Sequence, residues 1–238
     1  MTQNNSKNVL YFGRDPREVP TYTLQDTAHY TSVPLNTLRS WLTGRKYPTT
    51  EGTKHSKPLI LRPDKKTSLL SFTNLVEIHV LDAIRRKHQV PMYKVRAALD
   101  YVEKRFNSLH PLAEQTFETN GIDLFVDKYG ELINASRQGQ LGIRELLKEH
   151  LERIEHDAQG LAKRLYPFGR MQKAQTTRMV VIDAFVSFGK PVLVGTGIPT
   201  SIIAERWETG ESIAEIAADY ERSDKEIEEA LRYELKAA

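Results

Sequence analysis

Apolar residues recur at helical spacing through most of this chain, and only short stretches carry the pattern of strands. Thr23 opens the first helical stretch as an N-cap, with Leu24, Ala28 and Tyr30 on a helical spacing behind it. Thr31-Ser32-Val33-Pro34 breaks the pattern, and Pro34 is placed to begin a second helix with Leu35, Leu38, Trp41 and Leu42 along one side. Gly44 ends that helix. From Tyr47 to Asp64 the prolines at 48, 58 and 63 and Gly52 predict an irregular or two-stranded excursion, with Leu59-Ile60-Leu61 as the return strand. A longer helix capped near Ser71 follows, its stripe made by Phe72, Leu75, Val76, His79, Val80, Ala83 and Ile84. Another begins after Pro91 and buries Met92, Val95, Leu99, Val102 and Phe106.

The pattern then changes. Asn120-Gly121 stands between two strand-like runs within Phe117–Val126, which predicts a hairpin, and Glu131 to Asn134 suggests a third strand. Leu141 to Asp157 reads as an amphipathic helix, and Gly160 to Thr177 as a basic connector. Strand-like runs return at Met179–Ile182 and Pro191–Val194, and Ile198 to Ala238 is helical in three pieces broken at Gly210 and near Tyr220. The fold expected is mainly α with small β elements. It comprises a flexible arm (1–20), a winged helix-turn-helix (21–110), a hairpin plus connecting helix (111–178), and a small sheet with a helix-turn-helix-like three-helix domain (179–238).

Charge divides the 238 residues unevenly. Residues 1–110 hold 18 Lys and Arg against 9 Asp and Glu, whereas the remainder holds 16 against 22. The basic half suits a polyanion, and the acidic half repels one. Two short helices joined by a tight turn can place the second in a DNA major groove. Its inner residues leave Asn36, Thr37, Arg39, Ser40 and Thr43 outward, types that read base edges and reach phosphates. Arg45 and Lys46, then Lys54, His55 and Lys57, make the following loop a basic wing for the backbone. Arg85-Arg86-Lys87-His88 adds a further basic cluster. The blander reading is an ordinary amphipathic helix pair with a solvated basic face.

Catalytic and metal chemistry find little support. Cys is absent, which removes disulfides and thiolate sites. Glu149, His150, Glu152, Glu155 and His156 crowd one predicted helix, but the two His lie six apart on different faces, so a solvated charged face is expected. His79, in an apolar stripe, reads as a hydrogen-bonded core His. Gly189 to Thr200 is a glycine-bounded strand leading to a helix begun by Pro199, without the ending of a phosphate loop. A hydrolase built there would need a base near Gly195–Gly197, and Asp183 is the candidate closest in sequence. No catalytic residue, cofactor or metal ion is expected. No apolar run spans a bilayer, and the polar Met1–Asn8 lacks a signal core, so a cytoplasmic protein is expected.

Thr23 to Phe106 resembles the DNA-binding region of MerR-type regulators, through Thr23-Leu24-Gln25-Asp26-Thr27-Ala28, the Val33-Pro34 turn, Thr37-Leu38-Arg39-Ser40-Trp41, Leu70–Leu75 and the Val90-Pro91 helix. The effector cysteines and long coiled coil of the metal-sensing members are missing. Gly189 to Pro199, Gly210 to Tyr220, and Ile227, Ala230 and Tyr233 resemble a small bacterial domain, the domain of unknown function family 433, although Gly197 stands where Arg is usual. Joined in one chain, the two resemble VapB-type antitoxins. That resemblance implies a dimeric antitoxin that binds operator DNA, represses its own operon and neutralises a PIN-like ribonuclease toxin. From Ser201 onward 5 basic residues face 11 acidic ones, so Glu215, Asp219, Glu226, Glu228 and Glu229 are the candidate toxin contacts. The alternative is a MerR-like transcriptional regulator without a toxin partner.

Overall fold

The computed structural model describes residues 11, 13–44, 46–50, 52–87, 92–133, 136–168 and 178–235. Residues 1–10 of the expected arm, Arg45, His88, Val90-Pro91 and the 169–177 part of the connector lie outside the described residues, as do the side chains of Arg85, Arg86 and Lys87. The chain divides into two compact units, residues 1–162 and 163–238.

In the first unit, α1 (Leu24–Thr31) starts in a reciprocal capping box. Asp26 N–H donates to Thr23 Oγ1 at 3.1 Å, and Thr23 N–H donates to the Asp26 carboxylate at 2.9 Å. Ser32 takes the left-handed conformation (φ 57°), which turns the chain so that Val33 is buried and Pro34 begins α2 (Leu35–Thr43). Leu38 and Trp41 are fully buried, each adding about 2–3 kcal/mol to the seat of the helix. A hairpin follows, β1 (Lys46–Thr49) against β2 (Gly52–His55), with Lys46 opposite His55 and Tyr47 opposite Lys54. The return strand is therefore 52–55. Leu59 and Ile60 are not strand; they are buried, and their N–H groups donate to the Trp41 carbonyl at 2.7 and 3.2 Å.

The hub of this unit is α3 (Phe72–Lys87). Ser71 and Asn74 cap it reciprocally, at 3.2 and 3.3 Å. The apolar stripe read from the sequence is buried, and the burial extends to Asn74, Glu77 and Asp82, because other elements pack around the helix. His79 Nε2 meets the His150 carbonyl at 3.0 Å, as expected of a hydrogen-bonded core His. Around α3 stand α1, α6 (Arg137–Leu151) and a 3-10 turn at Pro16–Glu18. That turn is docked within the unit by Arg17, which pairs with both Asp15 and Asp157 at 2.6 Å.

The central hairpin is not formed. Phe117–Gly121 is a π-helical turn running into α5 (Ile122–Ile133), which packs on α4 (Met92–Phe106) and α6. The third strand suggested at 131–134 falls in the same helix as far as it is described. The reason is packing: Phe117, Phe125 and Tyr129 form one buried aromatic column, with Phe125 and Tyr129 stacked at 5.7 Å. Gly121 sits where a Cβ would come within 2.6 Å of the Phe117 ring, so it serves close approach and not a hairpin turn. The charged helix expected to run to Asp157 stops at Leu151 and is followed by β3 (Ile154–His156). His150 is buried, its ring 5.0 Å from that of His79, so it is not part of a solvated face.

In the second unit the strands near 180 and 191 and the three terminal helices fall where expected. The stretch read as a basic connector from Gly160 instead contributes a strand at Ala162–Leu165, drawn into the sheet by pairing with the strand at 180–183. The strands β4 (Ala162–Leu165), β5 (Val180–Asp183) and β6 (Pro191–Leu193) pair antiparallel, with Arg164 opposite Asp183 and Val181 opposite Val192. Three helices cover one side: α7 (Thr200–Glu208), α8 (Ile213–Asp219) and α9 (Asp224–Glu234). Their core joins Leu193, Ile203, Ile216, Ile227, Ala230 and Leu231.

Candidate nucleic-acid interface

The outward side of α2 is assembled as its residue pattern predicts. Asn36, Arg39 and Thr43 are exposed, and Thr37 and Ser40 are half-buried. Arg39 Nη1 donates to Asn36 Oδ1 at 3.1 Å, which holds the two candidate base-reading side chains together one turn apart. The Ser40 and Thr43 hydroxyls donate to the carbonyls of Thr37 and Arg39 at 2.8 and 2.9 Å, so both are occupied within the helix. Asn36 and Arg39 are the residue types on this side that can pair with base edges.

The wing is fixed to the end of this helix by backbone. Gly44 has φ 73°, and its position lies against the Ser56 carbonyl, where any Cβ would clash. Lys46, Lys54 and Lys57 are exposed. Lys46 and Lys54 sit on opposite faces of the hairpin, since alternate residues of a strand point opposite ways and each faces a different partner in the register. A two-faced cationic ribbon suits backbone contact better than base reading.

Sequence reading missed the residue that anchors the far side of the wing. Arg96 of α4 is buried and donates through Nη1 to the carbonyls of Leu59 (3.2 Å) and Pro58 (3.4 Å). Its other nitrogens pair with Asp100 at 2.8 Å and with Glu103. The signal was present as the Arg96, Asp100, Glu103 spacing, which puts acids four and seven residues from Arg96, one and two turns along the same helix face. A second missed pair is His110 with Glu77, at 3.0 Å. Burial opposes the charged imidazole, but the Glu77 hydrogen bond and charge outweigh it, and Glu18 and Glu103 add to the effect. The His110 pKa rises to about 9.

In the second unit the acidic candidates have local tasks. Glu215 and Glu226 close capping boxes on Ser212 and Ser223, whose donors hold both carboxyls below the usual range. Asp219 pairs with Arg206 at 2.6 Å, and Glu229 pairs with Arg232. Glu228 is exposed. Asp183 is buried, accepting from Arg164 Nε at 2.8 Å and Phe185 N–H at 2.9 Å, which makes it a turn-forming carboxylate and not a base aimed at Gly195–Gly197. Gly195 has φ 77°, whereas Gly197 needs no positive φ, and a Cβ there would meet Ser187 Oγ at an ordinary 3.7 Å. Among the described residues no group of three His, Asp or Glu could hold a metal ion, and no helix is long and apolar enough to cross a membrane.

Comparison with known proteins agrees with this division. Residues 20–99 match the family described as "Putative DNA-binding HTH domain", and residues 180–233 match "Protein of unknown function (DUF433)". Over most of its length the chain is similar to two proteins of Mycobacterium tuberculosis. One is named "Putative antitoxin VapB45", 29% identical over 233 residues that make up 90% of this chain and 93% of that protein. The other is "Uncharacterized protein Rv2308", 27% identical over 232 residues, 92% and 91% of the two chains. The crystal structure of Rv2018 from the same organism shares the fold, with a TM-score of 0.66 at 23% identity over 90% of this chain and 98% of that one. The chain thus joins an N-terminal domain of the helix-turn-helix family to a C-terminal domain of the DUF433 family.

Proposed function

We propose that this protein is a DNA-binding antitoxin of a type II pair, which represses its own operon through the N-terminal unit and neutralises a PIN-like ribonuclease toxin through the C-terminal one. The observation that carries the DNA half is the pair Asn36–Arg39, held together on the exposed side of α2 beside a backbone-locked basic wing. Lys46, Lys54 and Lys57 contact phosphates, as does Arg45 beside them, and Thr37 and Ser40 contribute at the helix flank. The toxin half is supported by the relative named as an antitoxin and by the acidic composition of α8 and α9. A ribonuclease must hold RNA on a basic rim, and the acidic excess of α8 and α9, with Asp219, Glu228 and Glu229 beside Glu215 and Glu226 at the helix starts, complements such a rim. The protein acts as a homodimer, which sets two recognition helices on half-sites about one helical turn apart. It works in the cytoplasm and catalyses no reaction.

The test is binding of the purified protein to the DNA upstream of its own gene across a salt series. Affinity that falls steeply with salt and is weakened at least tenfold by Arg39→Ala supports the reading. No binding at low salt sinks the DNA half, and failure to co-purify with a PIN-like protein encoded next to it sinks the toxin half.

A further inference from the structure

The N-terminal unit carries an open groove of about 1020 Å³ that the DNA reading leaves unused. Its floor takes Leu42 from the end of α2 and Pro58 and Ile60 from the segment after the wing. Two large apolar side chains stand exposed beside that floor, Leu61 at 42% and Leu109 at 70%. Exposed leucines scattered singly need no explanation, but two on the walls of one concavity form a patch.

The charges around this apolar floor are unbalanced in a specific way. Arg14, Arg62, Lys65 and Lys66 line the groove, and among the described residues none of the four has a carboxylate partner. Arg62 gives one N–H to the Thr67 carbonyl at 2.9 Å, which orients its guanidinium without neutralising it. Of the three carboxylates that line the groove, Asp15 is neutralised by an ion pair, whereas Glu18 and Asp64 keep their charge, so among the described residues the four cations outnumber them by two. Asp15 is bound to Arg17, Glu18 accepts the Thr73 hydroxyl, and Asp64 accepts the Lys66 N–H at 2.7 Å. His110, on the same wall, is held by Glu77. An apolar trough with an excess of cations on its rim fits a molecule that is apolar along its body and anionic at its head.

We propose that this groove is a binding site for an amphipathic monoanion, an apolar chain or ring carrying a carboxylate or sulfonate. The body lies over Ile60 between Leu61 and Leu109, and the head meets Arg62, Lys65 and Lys66. A DNA phosphate uses the same cations but gains nothing from the leucines, which separates the two occupants. An occupant touches the last turn of α2 and the exit of the wing together, through Leu42 and Pro58.

The experiment titrates the full chain, without DNA, with the fluorescent probe 8-anilino-1-naphthalenesulfonate, and then competes the probe with decanoate, decanol and inorganic phosphate. One saturable site is expected, displaced by decanoate, at least tenfold less well by decanol, and not by millimolar phosphate. Leu61→Glu and the double change Lys65→Glu/Lys66→Glu each weaken probe binding at least tenfold. Leu141→Glu, at an equally exposed leucine on α6 outside the groove, leaves it unchanged. Each variant is first shown by circular dichroism and thermal melting to be folded, and the substituted side chains are exposed enough for that to hold. Non-saturable binding, indifference to both groove variants, or displacement by phosphate as readily as by decanoate overturns the proposal. Because the assay contains no DNA, its failure leaves the operator reading untouched.

Discussion

A methyl group on Gly44 would lie 2.0 Å from the Ser56 carbonyl oxygen, a close backbone approach that sets the wing against the end of α2. Gly44→Ala suffers twice, from the clash and from the left-handed φ of 73°. Gly160 has nearly the same φ, 77°, but a Cβ there finds its nearest neighbour at 3.6 Å. Gly160→Ala is expected to cost about 1–2 kcal/mol, the strain alone. Gly44→Ala is expected to cost about 1 kcal/mol more and to weaken DNA binding as the wing shifts. Urea unfolding of the two variants checks the difference; equal losses would mean that the Ser56 contact is easily relieved.

In the proposed interface Arg39 and Lys54 make different kinds of contact. Arg39→Ala should cost about 1–3 kcal/mol on the preferred site and flatten the preference at one base pair. Lys54→Ala should weaken all sequences alike and lower the salt slope by about one unit. Both positions are exposed, so neither change should lower the melting temperature measurably. Competition binding against a library of single-base variants separates the two effects.

The sequence was legible wherever a single local device decides the structure. Thr23, Ser212 and Ser223 each cap a helix, and the strands at 180–183 and 191–193 fall on the apolar runs. It misled at Asn120-Gly121, because the dipeptide signals a turn only if the flanking runs are strands. The competing pattern was already written in the chain: Phe117, Gly121, Phe125 and Tyr129 fall four apart, a helical column in which the glycine makes room for a ring. The outward face of α2 could be read because its inner residues fix its orientation. The anchoring of the wing could not, since the Arg96 contacts to the carbonyls of Pro58 and Leu59 and the contact of Gly44 with Ser56 depend on how distant backbone is brought together.

Glu226 and Glu228 are two residues apart and face different duties. Glu226 accepts the Ser223 N–H at 3.0 Å and closes a capping box, whereas Glu228 is exposed on the middle of α9. Glu226→Lys is therefore expected to destabilise the C-terminal unit by about 1 kcal/mol, the usual worth of a lost cap. Glu228→Lys is expected to leave the melting temperature unchanged and to weaken capture of a basic partner at least fivefold. Thermal melts alongside pull-down with a PIN-like protein test this, and equal binding by Glu228→Lys and wild type would remove α9 from the proposed toxin surface.

His110 makes the stability of the N-terminal unit depend on pH in a predictable direction. Its pKa is raised from 6.5 to about 9 by Glu77, against the burial that opposes it, so the folded chain holds a proton that the unfolded chain releases. The stabilisation is complete below about pH 6.5, shrinks as the pH rises, and is gone once the pH exceeds about 9. With the imidazole partly open to solvent, about 2 kcal/mol is a fair expectation for the whole change. His110→Gln keeps a hydrogen-bond donor for Glu77 but does not titrate. Its unfolding free energy should lie below that of the wild type at pH 6 and approach it at pH 9.5. Urea unfolding at half-unit intervals between these limits measures the gap, and a gap that stays constant with pH would show that His110 carries no extra proton in the folded state.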